Sequence, residues 1–432
     1  MIRKLIYLLG VRFRNDLVWP YFDFLCESQY WDIGRLTEYQ TQRCSELLEF
    51  AYRKTRFYKD KFDTLGVNPQ DFKTLDDLRG FPTVTKKELL DRSSDIQIKD
   101  GFQKLFLSET SGSTGQPLTF YRNKEWDAWH RAAIIRGYSW YNVKPWEHNG
   151  YFWGYNIDPK KARKIKLLDF LQNRFRLFSY KQDEILKFAK KLKSAAYLEG
   201  YSSMIYEVAK IIEGLGIGNR LSLKMVKGTS EKIFDRYQEV ARKTFGKKII
   251  SEYGAAEAGI IAFECAYGNM HITMENVIVE EETNEIIVTN LDSKSFPIIR
   301  YKLGDYVELD TKTKCPCGMD HFIIKDVMGR VGNVIYGLEH NYPSLTLYYV
   351  FKNLAMEKQV VLNYQAIQKK KGKLQINIEQ RIGSDVFALL KKEAVKYFGN
   401  DMSIIIKDDQ DLAHGKEKVK DFISLLSEEA MN

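Results

Sequence analysis

A run of hydroxyl and glycine residues is the first stretch of this sequence whose residue types could do chemistry. It reads Thr110-Ser111-Gly112-Ser113-Thr114-Gly115-Gln116-Pro117. The glycines lack a Cβ atom, so the backbone can bend sharply and approach a ligand closely. The hydroxyls and the exposed backbone amides offer hydrogen-bond donors. The loop therefore suits the phosphates of a nucleotide. It is not a Walker A loop, since no Gly-Lys-Ser/Thr closes it, and many surface turns share its composition.

Further polar turns follow predicted strands. The strand at 225–227 leads into Gly228-Thr229-Ser230-Glu231, and the strand at 248–250 leads into Ser251-Glu252-Tyr253-Gly254-Ala255-Ala256-Glu257. Sheets of α/β proteins bind ligands at the carboxyl ends of their strands, so both turns are candidate sites. A third apolar run precedes Arg300-Tyr301-Lys302-Leu303-Gly304-Asp305. The carboxylate of Asp305 could accept hydrogen bonds from two hydroxyls, or it could cap a turn.

Three cysteines and a histidine form a separate candidate site. Its members are Cys265, His271, Cys315 and Cys317. Three thiols and one imidazole suit a tetrahedral Zn²⁺ ion, and His321 is a spare candidate for the fourth ligand. The alternative is a set of free buried cysteines beside a hydrogen-bonded histidine. The residues alone leave both interpretations open.

In their order along the chain, these motifs resemble those of the adenylate-forming enzymes, which include acyl-CoA ligases, luciferases and peptide-synthetase adenylation domains. Thr-Ser-Gly-Ser-Thr-Gly-x-Pro is similar to the phosphate loop of that superfamily. Phe57-Tyr58, Phe81-Pro82 and Thr85-Lys86 resemble the N-terminal region of phenylacetate–CoA ligases and their capsule-biosynthesis relatives. The resemblance extends from about residue 57 to residue 416. Relatives in this branch often carry a structural zinc, which favours the zinc interpretation.

The resemblance implies specific roles around ATP. The Tyr253-Gly254 motif would flank adenine, Glu257 would hold the Mg²⁺ bound to ATP, and Asp305 would bind the ribose. Arg330 would contact the ribose or a phosphate. The nucleotide-binding residues implied are Ser111, Gly112, Ser113, Thr114, Gly115, Gly228, Thr229, Ser230, Glu231, Glu252, Tyr253, Gly254, Asp305 and Arg330. The chain departs from the usual motifs at Ala256, Leu303 and Gly332.

The acid substrate and the catalytic lysine are assigned less directly. The predicted acid pocket consists of Trp153, Tyr155, Tyr201, Ser202 and Ala255, although core packing explains most aromatic residues equally well. The loop His414-Gly415-Lys416-Glu417-Lys418 resembles the site of the catalytic lysine of the family, here Lys416. The usual preceding proline is missing, so Lys418 and Lys420 remain alternatives.

Strands and helices alternate along most of the chain and would position these residues. Predicted helices at 125–141, 183–193, 204–215 and 231–245 lie between predicted strands, which favours an α/β fold with much parallel sheet. We expect a large multi-sheet α/β N-terminal domain over 1–329, which binds ATP and the acid. A small α+β C-terminal domain over 330–432 would carry the lysine, and the resemblance implies that it is mobile about a hinge near Gly332.

Composition and charge limit the partners. A chain of 432 residues with 44% hydrophobic and 28% charged residues is long enough for two globular domains. The formal charge of +9 favours anionic ligands such as nucleotides, CoA or a lipid headgroup, and no motif supports nucleic acid. Lys369 to Lys373 reads as a hairpin turn. Five cysteines without a disulfide framework, two of them the core candidates Cys26 and Cys44, fit a reducing cytoplasm.

The N-terminal segment of residues 1–31 is aromatic and basic, without a secretory cleavage site or a run of transmembrane length. It reads either as a helix packed on its own domain or as an interfacial helix on the inner face of a membrane. In the second case the protein would make peripheral contact with the membrane through its N-terminus.

Together these features predict an ATP-dependent, AMP-forming carboxylate ligase. It would form an acyl-adenylate and transfer the acyl group to CoA, or to an amine or hydroxyl on a sugar in surface polysaccharide biosynthesis. The alternative, which the motif departures allow, is a non-catalytic nucleotide- or membrane-binding protein that keeps the fold.

Overall fold

The computed structural model describes most of the chain. The described residues are 2–110, 118–152, 159–177, 182–216, 221–229, 233, 235–283, 285–330, 334–339, 341–343, 346–347, 350–351, 354, 362, 364–410 and 422–426. The helices are α1 (Ile2–Arg14), α2 (Val18–Ser28), α3 (Ile33–Lys54), α4 (Arg56–Leu65), α5 (Lys86–Asp91), α6 (Ser93–Ile96), α7 (Lys124–Ser139), α8 (Pro159–Leu171), α9 (Gln182–Leu192), α10 (Ser202–Gly214), α11 (Asp235–Phe245) and α12 (Ser384–Phe398). Short 3-10 helices lie at Pro69–Asp71, Leu75–Gly80 and Gly399–Asp401.

The strands are distributed over the whole chain. They are β1 (Leu105–Glu109), β2 (Thr119–Asn123), β3 (Asn149–Phe152), β4 (Arg174–Arg176), β5 (Tyr197–Tyr201), β6 (Met225–Thr229), β7 (Ile249–Ala255), β8 (Gly259–Glu264), β9 (Met270–Ile272), β10 (Val277–Glu282), β11 (Glu285–Asn290), β12 (Ile298–Asp310), β13 (Ile323–Arg330), β14 (Val334–Tyr336), β15 (Asn341–Pro343), β16 (Tyr364–Lys370), β17 (Lys373–Ile378), β18 (Ser403–Lys407) and β19 (Phe422–Ser424). The chain divides into two compact units. The first contains Met1–Thr110, Thr119–Leu303 and Val307–Val327, and the second contains Leu118, Gly304–Tyr306 and the chain from Met328 onward.

Helices α1 to α7 build one side of the first unit. From Leu36 onward, apolar residues recur at helical spacing, which predicts a helix. This stretch forms two helices, because Thr55 takes an extended backbone conformation and its hydroxyl accepts the amide proton of Tyr58. Helix α2 packs on α7, where the rings of Tyr21 and Trp129 stack with centroids 4.7 Å apart. Tyr21, Phe22 and Phe24 of the N-terminal segment therefore pack against a domain core.

Within the described residues, the large sheet of the chain has the strand order β10-β11-β12-β13-β9-β8-β7-β6-β5-β3-β4. Strands β4, β3, β5, β6 and β7 pair in parallel, and helices α8 to α11 connect them, as the alternation predicted. From β7 to β9 the pairing is antiparallel, because hairpins instead of helices join these strands. The parallel half therefore contains two of the strand ends that the sequence picked out, after β6 and β7, whereas the third candidate turn, at residues 300–305, lies within β12 and not after a strand.

The strand register aligns the ends of β5, β6 and β7 side by side in the sheet. Tyr201 on β5 pairs with Thr229 on β6, which pairs with Glu252 on β7. Helix α10 begins directly after β5, and its Ser202 lies against Gly228, where a Cβ atom would be 2.5 Å from the serine Oγ atom. Only glycine fits at residue 228, so the turn after β6 can approach the start of α10 closely.

The second unit has its own core. Strands β18, β17, β16 and β19 form a mixed sheet, with β17 parallel to β18 and β16 parallel to β19. Helix α12 contributes Leu390, Ala394 and Phe398 to the core. The basic run at Lys369 to Lys373 forms the β16–β17 hairpin turn, with Gly372 at a φ of +70°. The predicted α/β class, with a large multi-sheet part and a smaller C-terminal sheet domain, is confirmed.

Candidate active site

A cavity of about 490 Å³ lies in the first unit, beside the level ends of β5, β6 and β7. Helices α1 and α7 supply much of the opposite wall. The charged and aromatic residues that line it are Tyr7, Glu109, Arg122, His130, Arg131, Tyr138, Tyr151, Arg174, Tyr197, Glu199, Lys227 and Glu252. The cavity is therefore polar for a pocket bounded by a sheet and two helices.

A buried network of charges runs across the strand ends. The ammonium group of Lys227 lies 2.6 Å from a carboxylate oxygen of Glu252 and 3.2 Å from one of Glu199. Arg174 approaches the other Glu199 oxygen at 2.7 Å, and Tyr138 donates its hydroxyl proton to Glu199. Burial opposes ionisation of Glu199, but Lys227 and Arg174 outweigh it and lower the pKa of this carboxyl. The network therefore stays ionised at neutral pH.

Arg122 is the cavity cation with the fewest partners. It donates to the Oγ atom of Ser108 at 2.6 Å, and its guanidinium lies 5.6 Å from the ring centre of Trp126. Within the described residues no carboxylate forms an ion pair with it, and its Nε atom is buried without a hydrogen-bond acceptor. Burial lowers the pKa of Arg122 to about 10, so it remains charged at neutral pH. A half-buried guanidinium without an ionic partner, at the wall of a cavity, is a ready site for an anion.

His130 lies on the same wall as Arg122. Burial, reinforced by the charges of Arg122 and Arg131, lowers its pKa to about 3. The imidazole is therefore neutral at physiological pH, and its Nδ1 atom has no hydrogen-bond partner in the described residues. Arg131 is held by Asp127 at 3.0 Å. His130 can therefore hydrogen-bond a ligand without adding charge.

Helix α1 closes another side of the cavity. Tyr7 and Val11 point from it toward the cavity, and the Tyr7 ring packs on Trp146 at 6.2 Å between centroids. Burial raises the pKa of Tyr7 to about 12, so its hydroxyl keeps its proton. A segment read only as packed helix or membrane anchor thus contributes to the cavity wall.

Several predicted site residues meet at this cavity. Thr229, Glu252, Gly254 and Ala255 line it. The Thr229 hydroxyl donates to Glu252 at 3.1 Å, which links the turn after β6 to the end of β7. Gly228 adjoins the lining residue Thr229. Tyr201, Ser202 and Tyr253, like Gly228, are not among the lining residues.

Glu257 follows directly after the lining residue Ala256, in the turn between β7 and β8. Its side chain is buried, and the Tyr301 hydroxyl lies 3.3 Å from its Oε1 atom and donates to it. A buried carboxylate that one neutral donor contacts keeps lone pairs for a further ligand. One hard oxygen donor is enough for a Mg²⁺ ion that takes most of its other ligands from nucleotide phosphates and water.

The other predicted residues cannot be compared with this geometry. Asp305 belongs to the second unit, and only the backbone of Arg330 is described, at the end of β13. Outside the described residues lie Ser111, Gly112, Ser113, Thr114, Gly115, Trp153, Tyr155, Ser230, Glu231, Gly332, Lys416, Lys418 and Lys420. Their roles stay predictions.

Sequence reasoning missed most of the charged lining. Glu199 and Lys227 each stand inside a short apolar strand, as in Met225-Val226-Lys227-Gly228, and a charge at such a position is a usable signal. Arg122 and His130 gave no such signal, because a charged residue on an amphipathic strand or helix usually faces solvent. Their place in the cavity wall depends on elements that are distant in sequence.

The four predicted metal ligands converge elsewhere in the first unit. The donor atoms of Cys265, His271, Cys315 and Cys317 all lie within 4.8 Å of one another. The Sγ atoms of Cys265 and Cys315 are 3.7 Å apart, and Cys317 Sγ is 3.2 Å from His271 Nε2. Zinc–sulfur bonds of about 2.3 Å in a tetrahedron place two sulfurs about 3.8 Å apart, so the donor set fits Zn²⁺.

The surroundings of this cluster also fit a metal. The Nδ1 atom of His271 lies 3.4 Å from the backbone carbonyl of His321, which leaves Nε2 to face the sulfurs. His321 is therefore an outer contact and not the fourth ligand. Burial opposes ionisation of all three thiols; hydrogen bonds from Asn269 and others still lower the pKa of Cys315, whereas the pKa values of Cys265 and Cys317 are raised, so a bound cation would have to favour their ionisation. A thiolate is the form that binds zinc.

Known proteins resemble this chain over most of its length. No protein-family model matches it. Protein CapK of Staphylococcus aureus is 24% identical over 347 residues, which cover 76% of each chain. Phenylacetate-coenzyme A ligase of Thermus thermophilus is 22% identical over 364 residues, 79% of this chain and 80% of that protein. The phenylacetate-coenzyme A ligase of Escherichia coli K12 is 37% identical over 99 residues, 22% of this chain and 23% of its own.

Solved structures share the fold. A 2-hydroxyisobutyryl-CoA ligase in the postadenylation state superposes with a TM-score of 0.62 at 14% identity, over 92% of this chain and 91% of that chain. An open conformation of that ligase gives a TM-score of 0.59 over 91% of this chain and 93% of its own. At this identity the likeness shows the fold alone. The sequence relatives and the shared fold together support the adenylate-forming superfamily, and within it the phenylacetate–CoA ligase-like branch.

Proposed function

We propose that this protein is an ATP-dependent, AMP-forming ligase that activates a carboxylic acid as its acyl-adenylate. The observation that carries the proposal is the cavity at the level ends of β5, β6 and β7. There, Thr229, Glu252 and Gly254 of the predicted nucleotide-binding motifs and Ala255 of the predicted acid pocket line the same space as the basic side chains of Arg122 and Lys227. Membership of the superfamily supplies the class of reaction.

In the first half-reaction, a carboxylate oxygen of the acid bonds to the α-phosphorus of ATP and pyrophosphate leaves. Bound Mg²⁺ would neutralise phosphate charge, and Glu257 would hold it. The hydroxyls of the 111–115 loop and the Lys416 ammonium would hydrogen-bond phosphate oxygens as negative charge builds on them. Asp305 and Arg330 would hold the ribose side. Residues 330–432, which carry Lys416, would close over and leave the site.

In the second half-reaction, a nucleophile bonds to the acyl carbon and AMP leaves. The names of relatives that are CoA ligases favour the thiol of CoA as this nucleophile. An amine or hydroxyl on a sugar is the other acceptor that we consider, with a role in surface polysaccharide biosynthesis. We place the enzyme in the cytoplasm, with contact to the inner face of the membrane through its N-terminus.

The lining favours a polar acid over an aryl or fatty acid. Arg122 offers a charge without an ionic partner, and His130 offers a neutral nitrogen without a hydrogen-bond partner, both within the described residues. A long apolar tail would exclude water from the Arg122 guanidinium and the His130 Nδ1 atom without offering them a hydrogen-bond partner, at a cost of roughly 1–3 kcal/mol for each group. A hydroxylated acid could satisfy them.

The cluster of Cys265, His271, Cys315 and Cys317 would hold one structural zinc ion. Cys265 lies in the β8–β9 turn and His271 on β9, whereas Cys315 and Cys317 lie on the segment before β13. None of the four is among the residues lining the cavity. We therefore assign the metal to folding and not to the reaction.

ATP–pyrophosphate exchange tests the proposal. Purified protein is incubated with labelled pyrophosphate, ATP and Mg²⁺, with aryl, fatty, amino and uronic acids offered one at a time. We expect exchange that depends on one polar acid, and subsequent loss of free thiol when CoA is added. No exchange with any acid, together with retained ATP binding, would favour the non-catalytic alternative. Exchange without thiol loss would redirect the second step to a sugar acceptor.

A further inference from the structure

Helix α1 exposes a row of apolar side chains on one face. Ile2, Leu5, Leu9 and Phe13 are 75%, 58%, 57% and 91% exposed. Their spacing of three or four residues aligns them along the helix. A single exposed leucine is ordinary, but a continuous row of large side chains on one helix marks an interaction surface.

Helix α8 extends this surface. Leu167, Phe170 and Leu171 are exposed and have the same helical spacing. The two helices touch through Arg3, which donates to the backbone carbonyl of Phe170 at 2.7 Å and stacks over its ring at 4.2 Å. We call the apolar residues of both helices the α1/α8 face. Its members are Ile2, Leu5, Leu9, Phe13, Leu167, Phe170 and Leu171.

The charges around the α1/α8 face have one sign. Helix α1 has basic residues at 3, 4, 12 and 14 and no acid. Helix α8 has basic residues at 163, 164 and 166 and one acid among its described side chains, Asp169, which is buried and bonded to Arg176 at 2.9 Å. Lys4, Arg12 and Lys164 are exposed. A second copy of the chain would bring this basic border against itself, whereas an anionic surface would neutralise it.

The opposite side of α1 faces the candidate cavity. Tyr7 and Val11 line the cavity and lie about half a turn of helix away from Leu5, Leu9 and Phe13. One helix, roughly 10 Å across, therefore separates the cavity from the α1/α8 face.

We propose that the α1/α8 face docks on an anionic lipid bilayer and holds the cavity at the membrane surface. An amphipathic helix with basic residues beside its apolar face lies in the bilayer interface with the apolar side chains among the acyl chains. The cavity would then take an acid or acceptor carried on a lipid. This last point rests on the proposed ligase function, whereas the docking depends only on the two helices.

Vesicle flotation tests the docking without turnover. Full-length protein is floated with phosphatidylcholine vesicles and with mixed phosphatidylcholine–phosphatidylglycerol vesicles. We expect binding to the mixed vesicles that weakens as salt is raised, since salt screens the basic border. The combined variant Leu5→Ser, Leu9→Ser, Phe13→Ser should bind at least roughly tenfold more weakly, because three apolar side chains no longer leave water.

Leu65→Ser is the matched control. Leu65 is 57% exposed, as is Leu9, but it lies at the end of α4. This variant should float like the wild type. Pyrophosphate exchange in detergent-free solution checks that the triple variant keeps its fold, because none of its three residues lines the cavity. Equal flotation of wild type and triple variant would overturn the proposal. So would wild-type self-association that the triple variant abolishes, since a second copy would then cover the face.

Discussion

The ammonium group of Lys227 lies 2.6 Å from the carboxylate of Glu252, on adjacent parallel strands whose ends line the candidate cavity. Both side chains are buried, and Glu199 holds the same ammonium from the other side at 3.2 Å. Burial disfavours the charge on Lys227, but Glu252 and Glu199 prevail and raise its pKa. The charge is therefore fixed at the carboxyl edge of the sheet.

Replacing Lys227 tests this network. We expect Lys227→Met to lower the free energy of unfolding by about 3–5 kcal/mol, because two buried carboxylates lose a shared cation. Adding Glu252→Gln should recover part of the loss. Lys325→Met is the control, since Lys325 pairs with Glu308 at 3.3 Å on the surface and should change stability by less than about 1 kcal/mol. Urea unfolding midpoints give the comparison. A loss no larger than that of the control would contradict the network.

Glu257 is the predicted ligand of magnesium. Glu257→Gln keeps the size of the side chain and the hydrogen bond from Tyr301 but removes the charge. We expect magnesium-dependent pyrophosphate exchange to disappear while the thermal unfolding midpoint stays within a few degrees. Glu264→Gln, on the neighbouring strand β8, controls for loss of an acid. Wild-type exchange in Glu257→Gln would remove this residue from the mechanism.

Lys416 is the predicted catalytic lysine. An interaction made only in the transition state changes turnover and not ground-state binding. Lys416→Ala should therefore lose adenylation by roughly three orders of magnitude or more while ATP binding changes little. It should still transfer the acyl group from supplied acyl-adenylate. Full activity in Lys416→Ala with loss in Lys418→Ala or Lys420→Ala would show that the motif is shifted.

Zinc is expected at one ion per chain. Elemental analysis of protein expressed with added zinc should find it, and Cys315→Ser should lose it. The thermal midpoint should fall together with the metal content, because the ion joins segments that are far apart in sequence. Cys26→Ser should keep full zinc, since Cys26 lies on α2 and outside the cluster. If protein expressed in this way contains no zinc, the prediction is wrong and the three cysteines and the histidine are not metal ligands.

The pH dependence of stability should contain a contribution from His130. The unfolded chain protonates this imidazole near pH 6.5, while the folded pKa is about 3. The unfolded state thus binds more protons between these values, so stability is full above about pH 6.5 and falls as the pH falls. From pH 6.5 to 5 the loss is about 2 kcal/mol. His130→Gln should flatten this part of the curve, and an unchanged slope would show that His130 is not held neutral.

Local patterns predicted the elements but not the walls of the cavity. The strands that end near Thr229 and Glu252 and the hairpin at Lys369 to Lys373 follow from apolar runs and turn residues. The convergence of Cys265 with Cys315 followed from ligand chemistry, although nothing in their spacing fixed a distance. Such features depend on residues that are close in sequence or on a known ligand set.

Side chains that meet only through tertiary packing escaped prediction. Tyr7 and Arg174 line the same cavity, yet the helix that carries Tyr7 and the strand that carries Arg174 are far apart in the sequence. The antiparallel strands after β7 were not distinguished from parallel ones, because a single strand has the same pattern in either pairing when both faces are buried. Thr55 ended a helix within a continuous helical pattern because a local cap outweighed periodicity.

The ends of the large sheet carry like charges along each outer strand. Among the described residues β4 is one end, a three-residue strand whose Arg174 and Arg176 both stack on Tyr151, at 3.9 and 4.4 Å. The other end is β10, which finishes in Glu280-Glu281-Glu282. An open strand edge is a template for aggregation, and two copies that met at β10 would bring glutamate to glutamate, whereas β4 offers only three residues for pairing. Charge at one end of the sheet and a short strand at the other thus disfavour edge-to-edge pairing between copies.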